Sequence, residues 1–164
     1  MTEKNKGFTL TEILVYAATL LIIISAVFPF IFLGMRSGAK AKALREVMSS
    51  ANYAREIISR EIRGAKSIYT PTSNSGQLSL ETTKYLQALE TESYIDFYLC
   101  QERICFKKEG QLAQPLTSDN VRASNLVFTR ANQDSVRFSF QVDYKNQIFG
   151  NTASINVVSA AVLR

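Results

Sequence analysis

The chain has 164 residues and a net charge of +5, which suffices for one ordinary domain with an additional segment but not for two full domains. It contains no histidine, so the commonest general base and the commonest metal ligand are both missing. Its two cysteines cannot form a structural zinc site by themselves. The composition therefore excludes histidine-based catalysis and a cysteine–histidine metal centre.

The basic charge is concentrated in one part of the chain. Residues 36–66 include eight basic and three acidic side chains, whereas residues 1–35 and 67–164 are each neutral overall. A basic segment beside an apolar one favours contact with anionic lipid headgroups or with an acidic neighbouring subunit. Because the rest of the chain is neutral, we do not expect nucleic acid as a partner.

The first element is a long apolar segment. The 23 residues from Ile13 to Met35 include no charged side chain, and about 20 such residues suffice to span a bilayer as a helix. The segment is longer than the apolar part of a cleaved secretory signal and has no small-residue cleavage site at its end, so we expect a retained anchor. Glu12 directly precedes this segment, and a carboxylate at the membrane is a candidate functional residue because its burial is costly.

Residues 6–12, KGFTLTE, followed by an unbroken apolar stretch, resemble the class III signal of type IV pilins and type II secretion pseudopilins. In that family a prepilin peptidase cleaves after the glycine on the cytoplasmic side and methylates the new N-terminal residue. The resemblance implies that Gly7 is the last leader residue and that Phe8 is the methylated N-terminus. It also implies that Glu12 pairs with the N-terminal amine of a neighbouring subunit. Thr11 departs from the family, which more commonly has an apolar residue before the glutamate.

The electrostatics of a low-dielectric layer agree with this role for Glu12. Cleavage after Gly7 creates an α-amine at Phe8, four residues from the carboxylate. Two isolated charges are each costly there, whereas a mutual pair largely cancels the cost, so pairing between subunits selects one register of stacked helices. The alternative is that Glu12 is an ordinary first-turn acid, stabilised by the helix dipole at the edge of a plain anchor.

The expected orientation places the N-terminus in the cytoplasm. Two lysines precede the apolar segment and four basic residues follow it at 36–45, so the positive-inside rule alone favours the opposite orientation. Long domains cross the membrane largely regardless of charge. We therefore expect the C-terminal head outside the cytoplasm.

Beyond Met35 the apolar residues recur at spacings of three and four, which predicts an amphipathic helix that continues to about Gly64. The apolar stripe comprises Leu44, Val47, Met48, Ala51, Ile58, Ile62 and Ala65. Pro29 lacks an amide hydrogen and is expected to kink or locally melt the helix, and it matches the mid-helix proline of many pilins. Pro29 and Gly34 are therefore the candidate flexible positions; the alternative is a kink without function.

After Gly64 the sequence predicts strands. Residues 71–77, PTSNSGQ, form a turn-rich linker. Alternation of apolar and polar residues predicts strands at 94–99 and 136–144, and the apolar runs 126–128 and 155–158 complete an antiparallel sheet. We expect a single sheet whose apolar face covers the stripe of the helix.

The predicted fold class is therefore α+β, with a long N-terminal helix, first membrane-spanning and then amphipathic, packed against a C-terminal antiparallel β-sheet head in a pilin-like arrangement. The predicted segments are a cytoplasmic leader (1–7), a membrane-spanning or filament-core helix (8–35), the amphipathic half of the helix (36–66) and the β-rich head (67–164).

Cys100 and Cys105 flank the sequence QERI. A two-residue turn at Glu102 and Arg103 would place the cysteines directly opposite each other, with Cβ atoms about 4.5–5.5 Å apart, which is workable for a disulfide outside the cytoplasm. The alternative is two small buried side chains on a strand pair, since the turn lacks the usual glycine or asparagine.

Catalysis is not expected. Residues 37–40 match the S-x-x-K signature of serine penicillin-binding enzymes, but the accompanying S-D-N and K-T-G motifs are missing. Neither a cofactor nor a metal is expected.

Together these patterns favour a non-enzymatic structural subunit of a type IV pilus or type II secretion-like filament. Residues 54–69 resemble the end of the stalk helix in minor pilins and minor pseudopilins of the W and J types. The resemblance implies four partners: the prepilin peptidase, other pilins or pseudopilins, an inner-membrane assembly platform and membrane lipid. It also implies a single-pass protein of the cytoplasmic membrane that later enters an extracytoplasmic filament. The alternative is a membrane-anchored extracytoplasmic binding domain, with a role in adhesion or DNA uptake, that never assembles.

Overall fold

The computed structural model describes residues 9–86, 89–132, 134–146 and 152–164. Within these ranges, one helix is followed by eight strands: α1 (Leu10–Arg63), β1 (Ser67–Ile68), β2 (Gln77–Thr82), β3 (Ser93–Cys100), β4 (Arg103–Lys108), β5 (Gln114–Pro115), β6 (Val121–Asn132), β7 (Ser135–Tyr144) and β8 (Ser154–Val162). The predicted α+β class, with a long N-terminal helix and a C-terminal antiparallel β region, is confirmed. The chain forms two compact units, an N-terminal unit, Met1–Ala39, and a C-terminal unit, Lys40–Arg164.

The helix ends where the sequence predicts. The amide of Gly64 donates to the carbonyl oxygen of Arg60 (3.1 Å) and closes the last turn. Arg60 and Arg63 lie in that turn, where cationic side chains are stabilised by the negative end of the helix dipole. Two residues later, the amide of Lys66 donates to the carbonyl oxygen of Glu81 (2.8 Å), which joins the chain directly to the first sheet.

The strands form two antiparallel sheets, so the expectation of a single sheet is wrong. The first has the order β1-β2-β3-β4-β5 and the second the order β6-β7-β8. The ladder of the first sheet stops at β5, which has two residues, one of them Pro115. Because proline has no amide hydrogen, it cannot donate to a further strand. The chain then starts a new sheet with β6 at Val121.

One hydrophobic cluster joins the helix to both sheets. Its members include Val47, Ala51, Ala54, Ile58 and Ile62 from α1, Leu78, Leu80, Ile95, Phe97, Ile104 and Phe106 from the first sheet, and Val121, Val136, Phe138, Phe140 and Val142 from the second. The amphipathic stripe thus meets two sheet faces instead of one. Burial of these side chains supplies the main favourable term for folding of the C-terminal unit.

Two members of the predicted stripe lie outside this core. Leu44 is 43% exposed and Met48 is 47% exposed, whereas Ala43, Ala54 and Ile57 are buried. The buried face of the helix is therefore rotated, relative to the predicted stripe, toward Ala43, Ala54 and Ile57. Ala43 and Ala54 lie within the contact with the sheets, and the longer side chains of Leu44 and Met48 lie at its margin.

The hairpin between β3 and β4 turns one residue earlier than predicted. Gln101 and Glu102 occupy the turn, with φ values of 47° and 61°, so the left-handed conformation is adopted without glycine or asparagine. Cys100 consequently pairs with Arg103 across the strands, and Cys105 pairs with Tyr98. The two cysteines are diagonal neighbours on one face, not directly opposed, and they form a disulfide with Cα atoms 5.9 Å apart.

The core predicts a clear difference between two positions on α1. Ile58 is fully buried and Met48 is half exposed. We expect Ile58→Ala to lower the free energy of unfolding by about 2–5 kcal/mol, because it removes buried methyl groups and leaves a cavity between two sheets. Met48→Ala, the matched control on the same helix, is expected to change it by less than about 0.5 kcal/mol. Urea unfolding of the full chain in nonionic detergent, followed by circular dichroism, measures both; equal losses would contradict the assigned core.

Candidate functional site

The apolar part of α1 in the N-terminal unit exposes its side chains. Leu10 is 81% exposed and Phe30 is 77% exposed, and no residue of the most apolar 18-residue window is buried within the protein. Among the described residues this is the one helix long and apolar enough to cross a membrane. The core helix of a soluble domain also passes such a test of length and composition, but its apolar side chains would be mostly buried. The exposed surface therefore needs lipid or other protein to cover it.

Glu12 lies in the first turn of this helix, and Thr9 caps that turn. The carbonyl oxygen of Thr9 accepts hydrogen bonds from the amides of Glu12 (3.1 Å) and Ile13 (3.2 Å). The hydroxyl oxygen of Thr9 also accepts from the amide of Glu12, at 3.4 Å. Thr9 thus holds the N-cap position and Glu12 the N3 position of a T-x-x-E sequence, with the Thr9 hydroxyl as the capping acceptor. This role of Thr9 was not among the predictions above, although the T-x-x-E spacing before the apolar run is a sequence signal for it.

The cap uses the backbone of Glu12 and leaves its carboxylate available. The side chain is exposed, beside the hydroxyl groups of Thr9 and Thr11. Within the described parts of the chain, no basic side chain forms an ion pair with it. The carboxylate can therefore accept a cation from a group outside these residues.

Gly7 and Phe8, the predicted cleavage and methylation site, lie outside the described residues. Both assignments depend on the sequence resemblance alone.

Pro29 and Gly34 lie inside an unbroken helix. The local melting considered for Pro29 does not occur in the single chain. A Cβ atom added at Gly34 would meet nothing within 4 Å, so contacts within the chain do not require glycine there. Flexibility at these positions in an assembled state stays a prediction.

A buried carboxylate at the C-terminal end of α1 was missed by the sequence analysis. Glu61 is 1% exposed. Its Oε1 accepts hydrogen bonds from the hydroxyl of Tyr85 (3.2 Å) and from Nε of Arg60 (3.3 Å). Its Oε2 lies 3.8 Å from Nζ of Lys84 and has no hydrogen bond among the described residues. The sequence does not predict this burial, because a glutamate between Ile58 and Ile62 is typical of a solvent-exposed helix position. Glu61 is buried because the loop containing Tyr85 folds over it.

Burial and the neighbouring Glu61 carboxylate raise the pKa of the Tyr85 hydroxyl above its ordinary value of 10.0. The neutral phenol is thus favoured in the folded state, because it can donate to Glu61 whereas a phenolate would be repelled by it.

A second ionic cluster joins the first two strands. Nζ of Lys66 lies 2.8 Å from Oε1 of Glu81 and also bonds Glu92. These hydrogen bonds, first to Glu81 and then to Glu92, raise the pKa of Lys66. The bond from Lys66, followed by one from the hydroxyl of Ser67, lowers the pKa of Glu81. Lys66 and Glu92 are exposed and Glu81 is partly buried, and the ion pair of Lys66 with Glu81 ties the residue before β1 to β2.

The described residues include no group of three or more histidine, cysteine, aspartate or glutamate side chains placed to hold a metal ion.

Comparison with known proteins returns no match to a family model, a curated protein or a solved structure.

The Glu61–Tyr85 contact predicts a pH-dependent effect of Tyr85→Phe. Near pH 7 we expect this variant to lower the free energy of unfolding by about 1 kcal/mol, because the buried carboxylate loses a donor. The raised pKa of Tyr85 means that its contribution is fully present below pH 10.0 and is lost as the pH rises through the folded-state value. The difference between wild type and variant should thus shrink at alkaline pH.

Denaturant unfolding of both proteins between pH 7 and pH 11 measures this difference. Tyr53→Phe removes the same hydroxyl group from an exposed site on α1 and should change stability little at any pH. A Tyr85→Phe effect that is equally large at both ends of the range would contradict the assigned contact.

Proposed function

We propose that this chain is a structural, non-enzymatic subunit of a type IV pilus or type II secretion-like filament, processed after Gly7 and assembled through its N-terminal helix. The observation that supports this best is the combination at the start of α1. The apolar part of α1 is exposed, and its first turn includes a carboxylate, Glu12, that has no ion pair among the described residues.

The exposed helix explains how one chain could move from a membrane into a filament. In the membrane its side chains contact lipid tails, and in a filament core they would contact other apolar helices. Since both surroundings are apolar, the transfer has little hydrophobic driving force of its own. Packing and a specific polar contact must then decide the register, which is the role assigned to Glu12.

The proposed partner of Glu12 is the α-amine that cleavage creates at Phe8 of a neighbouring subunit. An unpaired charge in the filament core would be costly, whereas the pair cancels most of that cost. The prepilin peptidase and an inner-membrane assembly platform are the other proposed partners. A minor, filament-initiating subunit of the W or J type is the specific form that residues 54–69 favour.

Glu12→Gln is expected to reduce incorporation into filaments strongly while leaving the N-cap intact. The cap uses the backbone amide of Glu12, which the variant keeps, so only the charge is lost. Removing one member of a buried pair costs about 3–5 kcal/mol, so incorporation should fall by about 100-fold or more. Quantitative immunoblotting of sheared filaments against total membrane protein measures it.

Thr9→Ala is the matched control in the same turn. It removes the capping hydroxyl, which costs about 1 kcal/mol of helix stability, and it keeps the carboxylate. We expect near-normal incorporation. If Glu12→Gln is incorporated as well as the wild type, Glu12 is an ordinary first-turn acid. If the wild-type chain itself is missing from sheared filaments, the chain is better explained as a membrane-anchored extracytoplasmic binding domain.

The N-terminal peptide of the protein purified from native membranes is expected to begin at a methylated Phe8. Gly7→Val should block this maturation, because a branched side chain replaces the residue after which the peptidase cleaves. Mass spectrometry of the N-terminal peptide distinguishes the two forms. Normal trimming of Gly7→Val, or an intact Met1 in the wild type from cells whose peptidase is active, would contradict the processing assignment.

A further inference from the structure

The outer edge of β8 is the long open strand edge of the C-terminal unit. The first sheet ends in β1 and β5, which have two residues each. The other edge of the second sheet, β6, is partly covered, since the amides of Ala123 and Phe128 donate to the carbonyl oxygens of Glu102 (2.7 Å) and Ser75 (2.9 Å). β8 has 9 residues and pairs on one side with β7. Within the described ranges, no backbone group pairs with its other side.

This edge lacks the features that normally prevent a strand from pairing with another chain. The sequence of β8, SINVVSAAV, has no proline and no charged residue, and Val158 and Val162 are 65% and 55% exposed. Edge strands are usually protected by lysine, proline or shortness, because their unpaired amides and carbonyls attract a further strand. The edge of β8 is therefore available for β-strand addition.

A cationic groove follows the C-terminal half of this edge. A cavity of about 500 Å³ lies between residues 159–162 and one face of α1. Three arginines, Arg55, Arg63 and Arg164, and a single carboxylate, Glu56, are its charged lining side chains. Among the described residues, no carboxylate forms an ion pair with any of these three guanidinium groups.

The positive charge of the groove determines which kind of segment can bind along β8. A second copy of β8, paired edge to edge about a twofold axis, would bring the arginines of both copies together, and like charges repel. An acidic extended segment would instead gain both strand pairing and charge complementarity. The groove thus protects the edge against self-association and favours an acidic partner.

The spacing of the arginines specifies where the acidic residues belong. Arg55 and Arg63 are eight residues apart on α1, which is about 12 Å along the helix axis at about 1.5 Å per residue. In an extended strand, residues four apart are separated by about 13 Å and point to the same side. An added strand that runs along the groove would therefore place two carboxylates at positions i and i+4 at the same spacing as Arg55 and Arg63.

We propose that the outer edge of β8 and the Arg55–Arg63 groove together form a docking site for an extended acidic segment of another protein, which adds as a strand to the second sheet and presents carboxylates at i and i+4. The site belongs to the C-terminal unit and does not depend on filament assembly.

A pair of isomeric peptides tests the spacing. The first is a labelled nine-residue peptide of alternating threonine and valine with glutamates at its third and seventh positions. The second contains the same amino acids rearranged so that the glutamates are third and sixth, on opposite faces. Fluorescence anisotropy with the full chain in nonionic detergent should show binding of the first peptide about tenfold tighter, because only it can form both charge-assisted contacts. Equal binding, or no binding of either peptide, would overturn the proposal.

A pair of double variants tests the groove. Replacing Arg55 and Arg63 with serine should weaken binding of the i, i+4 peptide by about tenfold or more. Replacing Lys42 and Arg45 with serine removes the same charge from exposed positions on the same helix outside the groove, and it should leave binding nearly unchanged. Equal weakening by the two double variants would show that binding depends on net charge alone and would overturn the proposed site. Circular dichroism checks that each variant is folded.

N-methylation of the peptide tests strand addition. In an added strand, alternate amides face β8 and the others face away. We therefore compare two versions of the i, i+4 peptide, one N-methylated at its odd-numbered residues and one at its even-numbered residues. One version should lose binding and the other should keep it. Full binding by both versions would show that no strand pairing occurs.

Discussion

The contact between the amphipathic part of α1 and the two sheets is the interaction on which the C-terminal unit depends. Neither sheet could bury its apolar face alone, since each has one such face and few strands. Ile58 and Ile62 lie fully buried where both faces meet the helix. The helix thus contributes one side of a single core that both sheets share, with Ala51 and Ala54 buried in it.

Polar contacts then fix how the strands and loops close over that core. Ser118, in the connection between the two sheets, donates through its hydroxyl to Glu46 on α1 (2.6 Å). At the other end of the contact, Tyr85 donates to the buried Glu61. Both partners on the helix are glutamates. The same basic helical segment therefore includes acidic side chains that serve the fold, and its excess of arginine and lysine is left for the exposed face.

Two surfaces remain uncovered in the described chain, and they differ in kind. The apolar side chains near the start of α1 have no directional preference, so a lipid environment or other apolar helices can cover them equally well. The edge of β8 offers backbone hydrogen bonds in a fixed direction, beside guanidinium groups that form no ion pair among the described residues, so it can discriminate among partners. A subunit with both features could use the first for location or assembly and the second for recognition.

Much of this architecture follows from local sequence patterns. The uncharged run from Ile13 to Met35 determined a helix with the length and polarity of a membrane span, because composition alone decides that property. Spacings of three and four determined the amphipathic helix and its end near Gly64, and strict alternation determined β7. Glu12 was recognisable as a candidate residue for the same local reason, namely a charge beside an apolar run.

The tertiary structure decided what depends on pairing between distant residues. The division into two sheets followed from where Pro115 ended the ladder, and the turn at Gln101 and Glu102 followed from the register between β3 and β4. Neither has a strong local signal. The burial of Glu61 required the loop with Tyr85 to fold over the helix. The groove beside β8 exists only because residues about one hundred positions apart in the chain meet, and sequence periodicity contains no information about such meetings.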